Sequence, residues 1–178
     1  MKYKSKIMDE KGVERSIARI THEIIEKNHG VEDVCLIGIR TRGIPLAVKL
    51  GENIKKFEGI SVPVGHIDIT LYRDDLSEIS GAPETGESSI PCDMNNKIVV
   101  IVDDVIYTGR TARAAIEAVF SYGRPKLIQL AVLVDRGHRE LPIRPDFVGK
   151  NVPTSKSEMI SVKTTDIDGE SGVYLCEI

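Results

Sequence analysis

The chain has no tryptophan and few aromatics, three Phe and five Tyr in 178 residues. A nucleic-acid surface built on stacked aromatics is therefore disfavoured. Cysteine is scarce too. Cys35, Cys92 and Cys176 are odd in number and far apart. With no C-x-x-C pair or Cys/His cluster, they argue against structural zinc and for reduced thiols in a cytosol. No apolar run approaches the ~20 residues that a membrane span needs. The opening MKYKSKIMDE holds charge where a signal peptide needs an apolar stretch. The phosphate-binding pattern G-x-x-x-x-G-K-[S/T] is missing, since Gly149-Lys150 is followed by Asn151, which removes the P-loop ATPases. Nor does one sign of charge dominate. A net charge of −3 argues against non-specific clinging to nucleic acid, though not against a local basic patch.

What is present suits one domain, residues 1–178, with a sizeable core. Val13, Ile17, Ile20 and Ile24 recur at helical spacing, with Gly30 as a stop. VCLIGIR (34–40), KIVVIV (97–102) and KLIQLAVLVD (126–135) read as buried strands, and ISVPVGHIDIT (60–70) is strand-like. IPLAVKLGENIKKF, after the turn Thr41-Arg42-Gly43, and TARAAIEAVFSYG read as helices. Strand and helix alternate, which predicts a three-layer α/β fold with a mostly parallel central sheet. Residues 71–96 are polar, interrupted by Gly81, Pro83, Gly86 and Pro91, and aperiodic. They are expected to form a long mobile loop of functional use. Beyond Asp135 the chain reads as short extended pieces and turns.

One stretch carries chemistry: VVIVDDVIYTGRT, Val99 to Thr111. Ligands of such sheets bind beyond the carboxyl ends of the strands, where Asp103 and Asp104 are expected. Tyr107–Thr111 is then the turn into a helix. Gly109 lets backbone approach a ligand. Amides at a helix start favour an anion, and Thr108 and Thr111 add hydroxyl donors. Carboxylates repel a phosphate unless hydroxyls or Mg2+ lie between, since both suit oxygen partners. The combination describes a ribose 5-phosphate. An ATPase strand, a phospho-acceptor pocket and a merely solvated strand end compete with this reading. The missing P-loop, the late position of the acids and the length of the pattern each count against one of them.

The stretch resembles the phosphoribosyl-pyrophosphate (PRPP) signature of the type I phosphoribosyltransferases. GIRTRGIPLA, HIDITLYRDDL and LAVLVDRGHRELPIRPDFVGKNVPTSKSE narrow the resemblance. Together they are similar to the bifunctional family that regulates pyrimidine operons and has uracil phosphoribosyltransferase activity. The resemblance runs from about Ile7 to Glu158 and implies a central sheet with a small hood and a flexible loop at about 71–96. It implies conversion of uracil and PRPP to UMP and pyrophosphate with Mg2+, and UMP-promoted binding to pyrimidine-operon leader mRNA. On it, Asp103 and Asp104 hold the ribose hydroxyls, directly or through Mg2+. Tyr107, Thr108, Gly109, Arg110 and Thr111 lie in the signature, Thr108 to Thr111 cradling the 5-phosphate, and Thr41, Arg42 and Gly43 bind pyrophosphate. Arg73 closes over the site, and Arg136 lies at the base pocket. A homodimer or higher oligomer in the cytoplasm is implied as well. A salvage enzyme without an RNA role, for uracil or a purine, is the alternative.

RNA needs a basic face. Lys11, Arg15, Arg19 and His22 follow spacings of 4, 4 and 3 on the first helix, opposite its apolar stripe. A second source is 124–163, where eight Lys and Arg stand against four acids, a local charge of +4 that leaves −7 for the rest of the chain. Arg19, His22, Arg139, Arg144 and Lys150 are the expected RNA contacts.

Overall fold

The longest apolar runs lie side by side at the centre of a parallel sheet. β2 (Val34–Ile39), β4 (Ile98–Ile106) and β5 (Leu127–Asp135) are flanked by β3 (Val64–Ile67) and β6 (Phe147–Asn151), in the order β3-β2-β4-β5-β6. All four pairings are parallel. A strand covered on both faces should be apolar throughout, and every residue of β2 is buried. Side chains alternate between the faces. Leu36, Val100, Val102 and Leu133 enter one core, and Ile37, Val99, Ile101 and Val132 enter the other. The structure is a computed structural model that describes residues 2–74 and 86–178.

Helices cover both faces. α1 (Glu10–Lys27) and α2 (Gly43–Glu58) pack on the first core. α3 (Arg110–Phe120) covers the second through Ala112, Ala114, Ala115, Ala118 and Val119. The Asp9 side chain caps α1, accepting from the Gly12 amide at 2.7 Å. The predicted stripe Val13, Ile17, Ile20 and Ile24 is buried. Each fully buried isoleucine is worth roughly 1.5–3 kcal/mol.

Topology places the site. The chain goes from β2 out to the edge strand β3, then returns to β4 on the other side of β2. Parallel sheets open a crevice at such a reversal, beyond the carboxyl ends of the two strands. The turn after β2 and the turn after β4 therefore face each other.

A second sheet was not legible in the sequence pattern. β1 (Lys2–Met8), β7 (Glu158–Lys163) and β8 (Gly172–Glu177) form an antiparallel sheet of order β1-β8-β7, with the short helix α4 (Thr165–Asp168) between β7 and β8. β1 is largely exposed, and its partner lies at the opposite end of the chain, with Lys2 facing Glu177.

Two expectations are adjusted. β4 continues to Ile106, so Asp103 and Asp104 lie within its last third or just before it, with Asp103 in register with Val132, not beyond the strand. Of the expected loop 71–96, residues 86–96 are anchored: Ser89 exchanges two backbone hydrogen bonds of 2.9 Å with His66, and Met94 is fully buried. Thr70–Tyr72 forms a short 3-10 turn. The part of the loop at 75–85 lies outside the described residues. Among the described residues no helix is long and apolar enough to cross a membrane.

Candidate active site

Asp103 sits where two cavities meet, and Asp104 lines one of them. One, of about 350 Å³, is lined by Asp103, Val105, the turn 107–111, Arg73, Asp74 and Glu140. The other, of about 480 Å³, is lined by Arg40, Thr41, Arg42, Asp68, Thr70, Asp103 and Asp104. Arg73, Asp103, Val105 and Thr111 belong to both. Burial, and after it the charge of Asp104, pushes the Asp103 carboxyl well above the usual carboxylate range. Burial also raises Asp104, against the pull of its hydrogen bonds and of the Arg42 charge. Backbone amides partly satisfy the pair: Asp104 N–H donates to Asp103 Oδ1 and Val105 N–H to Asp104 Oδ1, each at 2.9 Å. Two half-buried carboxylates that resist ionisation are short of positive charge or of hydroxyl donors.

The turn after β4 is built for an anion. Gly109 takes φ +95°, a left-handed value that a residue with a Cβ rarely adopts. It caps α3, whose first amides open into the smaller cavity. Thr108 Oγ1 accepts from the Arg110 amide at 3.3 Å, and Thr111 lies at the junction of both cavities. The Arg110 side chain turns instead to acids, donating to Glu140 at 2.8 Å and Asp74 at 2.6 Å. Neither acid has a local sequence signal that ties it to Arg110.

Across the crevice, Thr41 and Arg42 line the larger cavity, and Gly43 begins α2. The Arg40–Thr41 peptide is cis. Gly43 packs so closely that a Cβ would overlap the Val102 carbonyl of β4. Arg42 donates from Nε to the Val162 carbonyl at 2.7 Å and from Nη2 to Asp168 at 2.9 Å. Asp68 was not singled out by its sequence context. It accepts from the Thr70 amide and hydroxyl and from the Gly86 amide. Burial works against its charge, but these hydrogen bonds prevail and hold it below the usual range.

Arg136 does not line either cavity. It is 7% exposed, lies 4.0 Å from the Tyr107 ring centroid, and donates to Thr154 Oγ1 and the Glu158 carbonyl. It stands over the Tyr107 ring and lines a third cavity with His138 and Arg144. The expected RNA residues divide. Arg19 and Lys150 line one groove of about 670 Å³ with Lys6, Arg15 and a single acid, Asp9. His22 is exposed and stacks on Phe57, with ring centroids 4.3 Å apart. Arg144 is exposed beside a different cavity. Arg19 pairs with Glu23 at 2.8 Å and donates to the Val148 and Gly149 carbonyls, and Arg139 is engaged in the same way. Its guanidinium donates to the Ile143 and Tyr107 carbonyls at 2.9 Å and to the Asp135 carboxylate, so internal partners use it. Asp135, four residues before Arg139, was the signal that could have shown this.

The phosphoribosyl transferase domain family matches residues 4–165. The Bifunctional protein PyrR of Clostridium novyi is 58% identical over 177 residues, 99% of each chain. The chain belongs to the phosphoribosyl transferase family and, within it, to the bifunctional PyrR proteins. The Bifunctional protein PyrR of Thermus thermophilus is likewise 58% identical, over 99% of this chain and 98% of that one. Among solved structures, a mutant hypoxanthine phosphoribosyltransferase of Trypanosoma cruzi, in a ternary substrates complex, superposes with a TM-score of 0.76 at 19% identity, covering 98% of this chain and 96% of that one. At that identity the likeness shows the fold, the type I phosphoribosyltransferase fold. PyrR membership leaves the individual roles of the residues above to their geometry.

Proposed function

We propose that this PyrR-family chain converts uracil and PRPP to UMP and pyrophosphate and, with UMP bound, holds the leader mRNA of a pyrimidine operon to attenuate its transcription. The observation that carries the enzymatic half is the meeting of two cavities at Asp103, one bordered by a helix N-terminus and the other by Asp104, Thr41 and Arg42. PRPP has this layout: a 5-phosphate, two ribose hydroxyls and a diphosphate.

Uracil N1 bonds to the anomeric carbon, the bond from that carbon to the diphosphate oxygen breaks, and the base loses its N1 proton. Positive charge grows on the ribose as the bond breaks. No protein nucleophile is needed, so the residues position, stabilise charge and exclude water. Asp103 and Asp104 accept from the ribose hydroxyls and face the developing charge. Thr108 to Thr111 hold the 5-phosphate, and Thr41 and Arg42 hold the departing diphosphate. Arg73, which lines both cavities, closes over the substrate in this reading. Mg2+ fits the donor set, since the pair offers hard oxygens short of positive charge. Asp103 and Asp104 would hold it, directly or through water. Among the described residues no cluster of three or more His, Cys, Asp or Glu could hold a metal. When bound, it supplies charge neutralisation of the diphosphate.

For RNA, the groove of Lys6, Arg15, Arg19 and Lys150 gathers four cations against Asp9, and a phosphate there would compete with Glu23 for Arg19, the two residues pairing at 2.8 Å. The same reading places the protein in the cytoplasm as a homo-oligomer. Two assays test it. Purified protein should form UMP from uracil and PRPP in preference to nucleotides from purine bases. A gel shift on the cognate leader RNA should strengthen with UMP. Transfer without any shift would leave a salvage enzyme.

A further inference from the structure

The diphosphate-side arginine is held by a residue from the small sheet. Arg42 lies in the turn after β2, yet both hydrogen bonds of its guanidinium go to the other end of the chain: Nε to the Val162 carbonyl on β7 at 2.7 Å, and Nη2 to Asp168 Oδ1 on α4 at 2.9 Å. Asp168 is itself fixed. Its second oxygen accepts from the Thr164 amide at 2.9 Å, and its own amide donates to the Thr164 carbonyl at 2.7 Å. Its side chain is 19% exposed, against 36% for Arg42. The neighbouring Lys163 pairs with Glu170 and feels the Asp168 charge only as a smaller contribution. Asp168 lies beyond residue 165, where the family match ends.

Arginine has five N–H donors in a rigid plane. Two are committed to the small sheet, and the remainder stay with the residue at the edge of the larger cavity, beside Thr41 and Asp104. A long side chain at the mouth of a wet crevice would otherwise sample many rotamers. We propose that Asp168 is a positioning residue for phosphoribosyl transfer: it fixes the Arg42 guanidinium at the diphosphate side of the cavity, so that the small sheet sets how the leaving group is held. The inference rests on the reading of this cavity as the PRPP site. Asp168 also brings a negative charge near an anion site. That repulsion is screened at a partly exposed pair, whereas loss of the anchor frees a rotamer-rich side chain that binding must then order.

The experiment measures steady-state kinetics together with calorimetric binding of PRPP and of inorganic diphosphate, on wild type, Asp168→Ala, Asp168→Asn and Asp168→Glu. Asp168→Ala should raise the KM for PRPP and weaken diphosphate binding about tenfold, the effect of leaving one such side chain unfixed. The KM for uracil and kcat should stay within about twofold. Asp168→Asn, isosteric and still an acceptor, should give a smaller loss in the same direction and serves if the alanine variant does not fold. Asp168→Glu should recover most of the affinity. In an Arg42→Ala background, Asp168→Ala should have no further effect on diphosphate binding. Wild-type affinity in Asp168→Ala, or tighter diphosphate binding in Asp168→Asn, overturns the inference. Wild-type protein that binds no PRPP refutes the underlying reading instead.

Discussion

Gly38→Ala should damage both the fold and the active site, although Gly38 lines neither cavity. Gly38 lies in the last third of β2, against the start of α2. A Cβ there would stand 2.6 Å from the Gly43 carbonyl oxygen, 2.7 Å from its carbon and 2.8 Å from Ile44 Cα. Carbon atoms pack at about 3.5–4.0 Å, so the helix start must retreat by on the order of 1 Å. All three obstacles are backbone, so no rotamer change relieves the overlap. Overpacking of this kind costs about 1–3 kcal/mol. The retreat also moves Thr41, Arg42 and Gly43 relative to Asp103 and Asp104 on β4, and a displacement near 1 Å can cost on the order of 100-fold in rate. Urea unfolding would measure the first effect. kcat/KM for PRPP, corrected for the folded fraction, would measure the second. A variant within about 0.5 kcal/mol of wild type and with unchanged kcat/KM would refute the close approach of β2 and α2 as what sets the diphosphate loop.

Replacing both Asp103 and Asp104 with Asn should abolish turnover while leaving the fold intact. Because their folded-state carboxyls titrate above the ordinary range, ionising them costs stability near neutral pH. That cost fades as pH falls through the raised values towards the unfolded value of about 3.9. The double variant should therefore be no less stable than wild type at neutral pH and show a flatter dependence of stability on pH, read by thermal unfolding across a pH series; near-normal turnover would remove the assignment. PRPP binding by wild type, which needs the ionised pair, should weaken over the same descent in pH, as calorimetry would show. Arg139→Ala should lower stability by about 1–3 kcal/mol, since it strands a charged partner and two carbonyls, and should impair transfer as well as RNA binding; a loss confined to RNA binding would return Arg139 to the RNA face. Arg19→Ala with His22→Ala should weaken leader-RNA binding and reduce its salt slope by roughly 0.7–0.9 for each phosphate that the protein no longer neutralises. Uracil transfer should be nearly unaffected, and unchanged RNA affinity would make the stripe a solvated face.

What was legible in the sequence is what depends on neighbours in the chain. The alternation of Val99 to Val102 between two cores, the stripe from Val13 to Ile24 and the turn at Gly109 are local patterns, and they predict their elements because strand and helix periods are local. The small sheet depends on Lys2 meeting Glu177, and no local period carries that pairing. The same division runs through the charges. Counting cations found Arg19, Arg139 and Lys150 but not their partners. Arg139 faces Asp135, a near neighbour in sequence, whereas Arg110 faces a glutamate thirty residues on, and only the folded chain shows that the Arg110 guanidinium is already used. Arg42 shows both sides. Its place in the turn after β2 follows from the motif, whereas the carboxylate that holds it comes from a helix of four residues near the far end of the chain. A motif thus fixes which groups can meet a substrate. Which of them remain free to do so is decided by contacts far apart in sequence, and at Arg42 the deciding contact lies beyond the residues that the phosphoribosyl transferase domain matches.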